Sequence, residues 1–314
     1  MKRIFCLLFV FSLLGACQLL GPPKDDNTRY VEEAFDILRQ NIIVEGAVQL
    51  DALEADLLSQ ISDSTSMDTV HHLLRTAVQT INQHSDLLPP SEFKERVESP
   101  EQLEARGRII YDSIAYVYVP GCEAVDSVHS KLYVDSLQVT LKGLYRANPV
   151  GWIVDLRDNT GGNMYAMLAG LGPFFSKGNL GYDIGKTEQP WHFKMENDEG
   201  EMAFIELANS AYEFDKKLPI AVLINGQTAS AAEGMAISLK CYPRSILLGQ
   251  KTYGVSTGND MFFLSDSACL NVTTSIMADC AKNQYPNGVD PDIIIEDALE
   301  LFEYAVRWIA KSRQ

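Results

Sequence analysis

Strand-like segments that alternate with helical ones constrain the fold of this chain more than any other feature. Residues 151–157, GWIVDLR, form an apolar run of strand length, and residues 114–119, IAYVYV, form another. Residues 220–239 join an apolar strand-like run to a helical stretch, and a further helical pattern covers about 298–311. Alternating strands and helices are typical of an α/β domain. We therefore predict an α/β core.

The N-terminal part of the chain predicts helices without strands. Apolar residues recur there every three or four positions, which is the spacing of amphipathic helices. These residues are Val31, Ala34, Phe35 and Leu38; Leu50, Leu53, Leu57, Leu58 and Ile61; and Val70, Leu73, Leu74, Ala77, Val78 and Ile81. A Pro-Pro pair at 89–90 forbids further helix. We expect a small helical region over residues 28–90 and the α/β core over 105–314, while the charged stretch 91–110 predicts no element.

The overall composition excludes several classes of protein. The 314 residues are 46% hydrophobic and 22% charged, which are ordinary values for a globular chain. The formal net charge of −16 argues against a nucleic-acid partner, which requires a basic surface. It also argues against adhesion to anionic lipid through a basic patch.

The first residues have the layout of a secretory signal. Lys2 and Arg3 precede an apolar run at 4–14, which is too short to span a bilayer as a stable helix. The run ends in LGAC at 14–17, which resembles a bacterial lipobox. At such a site, cleavage leaves an N-terminal cysteine that is then acylated. The alternative is an ordinary signal peptide that happens to contain a cysteine.

We therefore predict a lipoprotein signal peptide over residues 1–16 and a tether over 17–27. Cys17 would carry the lipid and provide the only attachment to a membrane. The protein would belong to the bacterial cell envelope, with its soluble part in the periplasm or at the cell surface. Its oligomeric state is not indicated by the sequence.

Four cysteines remain beyond the predicted lipidation site, namely Cys122, Cys241, Cys269 and Cys280. In an oxidising compartment they allow two disulfides in three connectivities, and the alternative is buried free thiols. They have no CxxC spacing and no nearby histidine cluster, so we expect no metal site.

A first candidate functional segment is DLRDNTGGN, residues 155–163. Gly161 and Gly162 follow a buried strand and precede an apolar, helical stretch. Paired glycines at such a junction expose backbone amides that suit an anion or a developing oxyanion. The alternative interpretation is a tight turn that requires positive φ angles. The segment is not a P-loop, because no GK[ST] sequence follows.

A second candidate segment begins where the next strand ends. Ser230 lies at the start of the following helix, at the positive end of the helix dipole, and the amide of Ala231 can donate to a negative atom in front of it. The alternative is purely structural, since residues 230–233 read S-x-x-E and therefore form a capping box.

Taken together, the two segments resemble the catalytic core of the tail-specific, or C-terminal processing, serine peptidases. This family also includes the tricorn-core peptidases and the photoreceptor retinoid-binding proteins. Its patterns DLRxNxGG, TASAxE, GxxTxG and GVxPD are matched in order by residues 155–162, 228–233, 249–254 and 288–292. The resemblance implies a ClpP/crotonase-like fold, Ser230 as nucleophile, an oxyanion hole at the glycine pair and the amide after Ser230, no cofactor, and a peptide or protein substrate.

The resemblance identifies the general base of the reaction less directly than it identifies the nucleophile. One branch of the family has a lysine immediately after GxxTxG, where this chain has Val255, and Lys251 lies off that position. The other branch takes a histidine from a DGHS-like segment at the end of its N-terminal region. Residues 81–90, INQHSDLLPP, match that segment by position, which implies His84 as the general base. The carboxylate that this branch has before GVxPD is missing from residues 283–287, so no group that orients the base is identified.

Two other readings remain. Residues 254–258 match G-x-S-x-G, the nucleophile elbow of α/β-hydrolases, with Ser256 as nucleophile, but a strand-like segment rather than a helix follows. The chain could instead be a non-catalytic binding lipoprotein on the same fold, because fold does not imply function. Fewer than thirty residues separate Ser85 from Ile114, so we expect no PDZ domain there.

Overall fold

The structure is a computed structural model that describes residues 27–43, 48–98, 104–111, 113–124, 126–175, 179–193, 204–205 and 214–312. The helices are α1 (Asn27–Asn41), α2 (Leu50–Ser59), α3 (Met67–Ile81), α4 (Pro90–Glu98), α5 (Ser127–Tyr145), α6 (Met164–Gly170), α7 (Ala231–Lys240) and α8 (Ala298–Lys311). The strands are β1 (Asp86–Leu88), β2 (Arg106–Ile110), β3 (Ile114–Tyr118), β4 (Gly151–Asp155), β5 (Asn179–Gly185), β6 (Glu188–Phe193), β7 (Phe204–Ile205), β8 (Ile220–Ile224), β9 (Ser245–Gly249), β10 (Thr257–Phe263), β11 (Cys269–Ala278) and β12 (Ile293–Ile294). A short 3-10 turn covers Gly172–Phe174.

The chain divides into two compact units. Of the described residues, those within 91–260 and 273–312 form the core unit, and those within 27–90 and 261–272 form the N-terminal unit. The sequence placed residues 261–272 in the core. In the structure the end of β10 and the start of β11 belong to the N-terminal unit.

A six-stranded sheet organises the core unit, in the order β12-β9-β8-β4-β3-β2. All neighbouring pairs are parallel except β2 with β3, which is antiparallel. Every residue of β4 and β8 is buried, because helices cover both faces. Trp152 and Val222 face α5, α6 and α7, whereas Ile153 and Leu223 face α8. The α/β prediction is therefore confirmed, and α4 and β2 occupy the stretch for which the sequence predicted no element.

A second set of strands completes the core unit. The second half of β11 pairs antiparallel with β5, β5 pairs antiparallel with β6, and β6 pairs parallel with β7. Cys241, at the end of α7, forms a disulfide with Cys280, just after β11, with 6.0 Å between their Cα atoms. Cys122 and Cys269 are buried free cysteines, so one disulfide forms rather than two.

The N-terminal unit has its own apolar core. Tyr30, Phe35 and Leu74 pack with Leu264 and Leu270 of the 261–272 hairpin. β1 pairs antiparallel with the first residues of β11, from Asp86 opposite Asn271 to Leu88 opposite Cys269. The helical prediction for this region is thus extended by one short strand and a hairpin from far along the chain.

The predicted signal peptide, the tether to residue 26 and Cys17 lie outside the described residues, so these predictions stand on the sequence alone. Within the ranges that the structure describes, no helix combines the length and the apolar character needed to cross a membrane.

Candidate active site

Ser230 lies where the β8 strand gives way to helix α7. Its backbone has φ 54° and ψ −121°, a conformation that residues other than glycine rarely adopt. Its neighbours Ala229 and Ala231 are buried, whereas Ser230 itself is half-buried. Such strain costs free energy, so the surrounding structure has to hold the residue in place. Strained residues of this kind are concentrated at functional sites.

Glu233 holds this strained turn to a second loop. One of its carboxylate oxygens, Oε2, accepts the amides of Ser230 at 2.8 Å and Val255 at 3.0 Å. The other, Oε1, accepts the hydroxyl of Thr252 at 2.6 Å and the amide of Gly254 at 3.0 Å. Burial raises the pKa of the Glu233 carboxyl above its usual value, and these four hydrogen bonds offset part of the rise. The predicted capping contact between the Ser230 amide and Glu233 is therefore present, and it is one of four hydrogen bonds that this carboxylate accepts.

The glycine loop that follows β4 lies directly against Ser230. A Cβ atom added to Gly161 would be 2.9 Å from the Cβ of Ser230 and 2.7 Å from the carbonyl oxygen of Ala229. One added to Gly162 would be 2.0 Å from the carbonyl oxygen of Cys122. The φ angles of the two glycines are +100° and +114°, respectively. Both positions therefore require glycine for conformation and for space.

Asn159 connects the two loops and fixes their separation. Its side chain donates to the carbonyl of Val119 at 2.8 Å and accepts the amide of Gly161 at 2.9 Å. Its carbonyl accepts the amide of Ala229 at 2.9 Å. Asn159 is 1% exposed, so these bonds form away from water and hold the loops rigidly.

The contacts of Asn159 distinguish the three predicted oxyanion donors. The Gly161 amide already donates to the Asn159 side chain. The amides of Gly162 and Ala231 donate to no acceptor within the described part of the chain. The first amides of a helix have no intrahelical acceptor, which leaves Ala231 available to a ligand. Of the predicted donors, Gly161 therefore has its amide occupied within the loop, whereas the amides of Gly162 and Ala231 have no acceptor among the described residues.

His84 belongs to the N-terminal unit, in the turn between α3 and β1. Its amide donates to the side chain of Asn82 at 2.9 Å, and Asn82 in turn donates to the carbonyl of Ile43 at 3.0 Å. Asp86, two residues after His84, accepts the Arg75 guanidinium at 2.8 Å. This turn is therefore held on both sides of the half-buried histidine.

The lysine alternative is differently placed. Lys251 is half exposed, with its Nζ 3.7 Å from a carboxylate oxygen of Asp290. Val255, at the position of the family lysine, contributes its amide to Glu233.

Ser256, the nucleophile of the α/β-hydrolase reading, is fully buried. Its hydroxyl donates to the carbonyl of Tyr285 and accepts the amide of Gly288 at 3.1 Å. The strand β10 begins at the next residue, where an elbow requires a helix. Ser256 is a structural residue, and this reading is wrong.

Two other histidines, His71 and His129, each pair with a carboxylate. In the N-terminal unit, the Nε2 atom of buried His71 lies 2.8 Å from the carboxylate of Asp266 and 3.1 Å from the hydroxyl of Tyr30. In the core unit, His129 pairs with Asp126 at the start of α5. The described residues contain no group of three or more His, Cys, Asp or Glu that could hold a metal ion.

Sequence reasoning missed the contacts of Asn159 and Thr252, and it gave Glu233 only a capping role. All three lie inside motifs that were already recognised, DLRDNTGG, GQKTYG and TASAAE. The motifs were therefore the available signal, but the bonds join residues up to 70 positions apart in the chain (Asn159 to Ala229).

The part of the chain that contains Ser230 and the glycine loop is similar to known proteins. The sequence profile of Peptidase family S41 matches residues 113–295, which include the glycine loop and Ser230 but not His84. The nisin-resistance protein of Lactococcus lactis subsp. lactis is 32% identical over 167 residues, covering 53% of this chain and 52% of that protein. The carboxy-terminal-processing protease of Bartonella bacilliformis is 26% identical over 184 residues, covering 56% and 35%, respectively. The matched region thus spans about half of the first relative and about a third of the second.

A solved structure of a lipoprotein from Streptococcus agalactiae is similar over nearly the whole chain. The TM-score is 0.79 at 25% sequence identity, and the match covers 93% of this chain and 98% of the other.

Proposed function

Because the chain belongs to peptidase family S41, a family of serine-type hydrolases, we propose that it cleaves peptide bonds with Ser230 as nucleophile. Membership confirms the tail-specific family and the ClpP/crotonase-like α/β core that the motifs implied. The observation that carries the proposal is the strained Ser230 turn packed against the glycine loop, with two amides beside it that have no acceptor among the described residues.

The chemistry follows from these positions. The Ser230 hydroxyl attacks the carbonyl carbon of the scissile peptide bond and gives up its proton to a general base. The carbonyl oxygen becomes negatively charged in the tetrahedral intermediate. The amides of Gly162 and Ala231 stabilise this charge, and the positive end of the α7 dipole adds to their effect. The base then returns the proton to the leaving amine, and water releases the acyl group from Ser230.

We assign the base to His84. It matches the position of the histidine in the histidine-using branch, and an unperturbed imidazole titrates near pH 6.5, which suits proton transfer at neutral pH. The hydrogen bonds of Asn82 and Asp86 fix the turn that carries it. Lys251 lies off the position of the family lysine, and its half-exposed side chain pairs with Asp290 instead, with Nζ 3.7 Å from a carboxylate oxygen.

Covalent labelling with a fluorophosphonate probe tests this function. The wild-type protein should label at neutral pH, and peptide mapping should locate the label on Ser230. Ser230→Ala should not label. Ser238→Ala is the matched control, because Ser238 lies on the same helix and its buried hydroxyl has no partner within the described chain.

Failure of the wild-type protein to label, in a folded sample, would favour the alternative function. The chain would then be a lipoprotein that binds a peptide or another ligand at the site around Ser230. The valine at position 255, where one branch has its catalytic lysine, is the observation that supports this alternative.

We further propose that Cys17 is acylated and anchors the protein in the bacterial cell envelope, with its soluble part in the periplasm or at the cell surface. The LGAC sequence supports this anchor, as does the similarity to a solved structure described as a lipoprotein. Cells grown with a labelled fatty acid should incorporate it into the wild-type protein but not into Cys17→Ala. Equal incorporation into both would contradict the lipobox.

A further inference from the structure

Tyr253 is an exposed aromatic residue on the loop that Glu233 holds. Its side chain is 64% exposed, whereas its neighbour Thr252 is buried. Within the described part of the chain, its ring packs on no other aromatic ring and its hydroxyl has no hydrogen-bond partner. Neither a ring contact nor a hydrogen bond among the described residues therefore accounts for an aromatic side chain at this position.

The backbone beneath Tyr253 is fixed in spite of this exposure. The amide of Tyr253 donates to the carbonyl of Thr228 at 2.9 Å. The Thr252 hydroxyl donates to Glu233 and accepts the amide of Val289 at 2.7 Å. These bonds on both sides of Tyr253 hold its backbone, and therefore the Cα–Cβ bond of the side chain, in one position.

The same bonds connect the loop of Tyr253 to the segment that carries the proposed nucleophile. Thr228, which accepts its amide, precedes Ser230 by two residues. Glu233, which accepts the amide of Gly254, also accepts that of Ser230. A peptide bound with its scissile carbonyl at Ser230 would therefore pass close to the loop that carries the ring.

We propose that Tyr253 is a specificity-determining residue that binds an apolar or aromatic side chain of the peptide substrate near the scissile bond. A tyrosine ring offers a large apolar face and loses little conformational entropy when it is covered, which makes it a common anchor in recognition. This inference rests on the proposed peptidase function and adds a substrate preference to it.

Peptides that differ at a single position provide the test. Mass spectrometry first locates the bond that the full-length protein cleaves in a mixed peptide pool. Internally quenched peptides then vary each flanking position among Phe, Leu, Ala and Glu. The variants are Tyr253→Ala, Tyr253→Phe and the control Tyr111→Ala. Tyr111 is 67% exposed, in the turn between β2 and β3 at the opposite end of the sheet.

At one flanking position, the wild type should prefer Phe or Leu over Ala by about tenfold or more in kcat/KM. Tyr253→Ala should remove most of that preference through KM, whereas Tyr253→Phe and Tyr111→Ala should retain it. The proposal is overturned if the wild type has no such preference, if Tyr253→Ala retains it, or if Tyr111→Ala loses it equally.

A binding measurement separates this proposal from the proposed function. Fluorescence anisotropy records the affinity of the same peptides for Ser230→Ala and for Ser230→Ala combined with Tyr253→Ala. If wild-type protein fails to label with fluorophosphonate but the second substitution still weakens binding of the Phe peptide about tenfold, the peptidase function fails and the recognition role stands. Equal binding by both variants overturns the recognition role.

Discussion

The amide of Ser230 donates to the Glu233 carboxylate at 2.8 Å, and the same oxygen accepts the amide of Val255 at 3.0 Å. Glu233 is completely buried, so water cannot replace either bond. One carboxylate therefore sets both the strained turn of the proposed nucleophile and the loop that carries Tyr253. It acts through position, since its oxygens are occupied by protein donors.

Glu233→Gln should weaken this arrangement. The side-chain amide would present N–H groups where the carboxylate accepts donors, leaving at least one buried backbone amide without an acceptor. We expect the free energy of unfolding, measured with urea, to fall by about 1–3 kcal/mol. Fluorophosphonate should label the folded variant more slowly than it labels the wild-type protein. Glu303→Gln is the control, because Glu303 is about half exposed in a pair with Arg307 on α8. Labelling of Glu233→Gln at the wild-type rate would contradict the positioning role.

Gly162→Ala tests the oxyanion loop. The added Cβ would lie 2.0 Å from the Cys122 carbonyl oxygen, so the loop has to move and its amide with it. Loss of one oxyanion donor lowers kcat by about 10²–10³ in comparable enzymes, and we expect a loss of that order. Gly143→Ala is the control, since nothing lies within 4 Å of a Cβ there. Wild-type kcat in a folded Gly162→Ala protein would show that this amide is not used.

Gly162→Pro cannot serve as a test of this amide. The proline ring fixes φ near −65°, whereas Gly162 has φ +114°. The substitution would destroy the loop and could not report on the amide alone.

His84→Ala should remove most of the peptidase activity, whereas Lys251→Ala should retain a substantial fraction. Only a group that is unprotonated near neutrality can accept the Ser230 proton. The pH profile of kcat/KM in the wild type should therefore rise with an apparent pKa near the usual histidine value of about 6.5. If Lys251→Ala is inactive and His84→Ala is active, the lysine is the base. If both variants are active while Ser230 labels, the base is a third residue.

Because of Asp266, the N-terminal unit should become less stable as the pH falls into the acid range. Burial by itself would raise the pKa of this carboxyl, but hydrogen bonds from His71, the Ala268 amide and Tyr30 outweigh it and lower the pKa. A carboxyl with a lowered folded pKa stabilises the fold above its unfolded pKa, and this contribution is lost as the pH falls through the folded value.

Thermal unfolding of wild type and Asp266→Asn measures this effect. The melting temperatures should differ most near pH 6 and should converge as the pH falls below about 4. Asp63→Asn, which changes an exposed carboxylate of the same unit, should leave the pH dependence of the wild type unaltered. If the melting temperatures of the wild type and Asp266→Asn differ by the same amount from pH 6 to pH 3, Asp266 is not the source of this pH dependence.

The sequence was sufficient where structure depends on neighbours in the chain. The apolar runs of β3, β4 and β8 and the helix from Ala298 to Lys311 were predicted within about two residues, because strand and helix periods are local properties. The Ser230–Glu233 contact was also predicted, since a capping box joins residues only three apart. The family followed from four motifs in the right order.

The tertiary structure alone decided what depends on residues that are distant in the chain. It paired Cys241 with Cys280 and left Cys122 and Cys269 free, and it placed residues 261–272 in the N-terminal unit. It also gave Glu233 its contacts with Thr252 and Val255, and it joined the Asn159 carbonyl to the Ala229 amide. Local spacing cannot specify such contacts, because they form only after the parallel strands bring the ends of β4 and β8 to the same edge of the sheet.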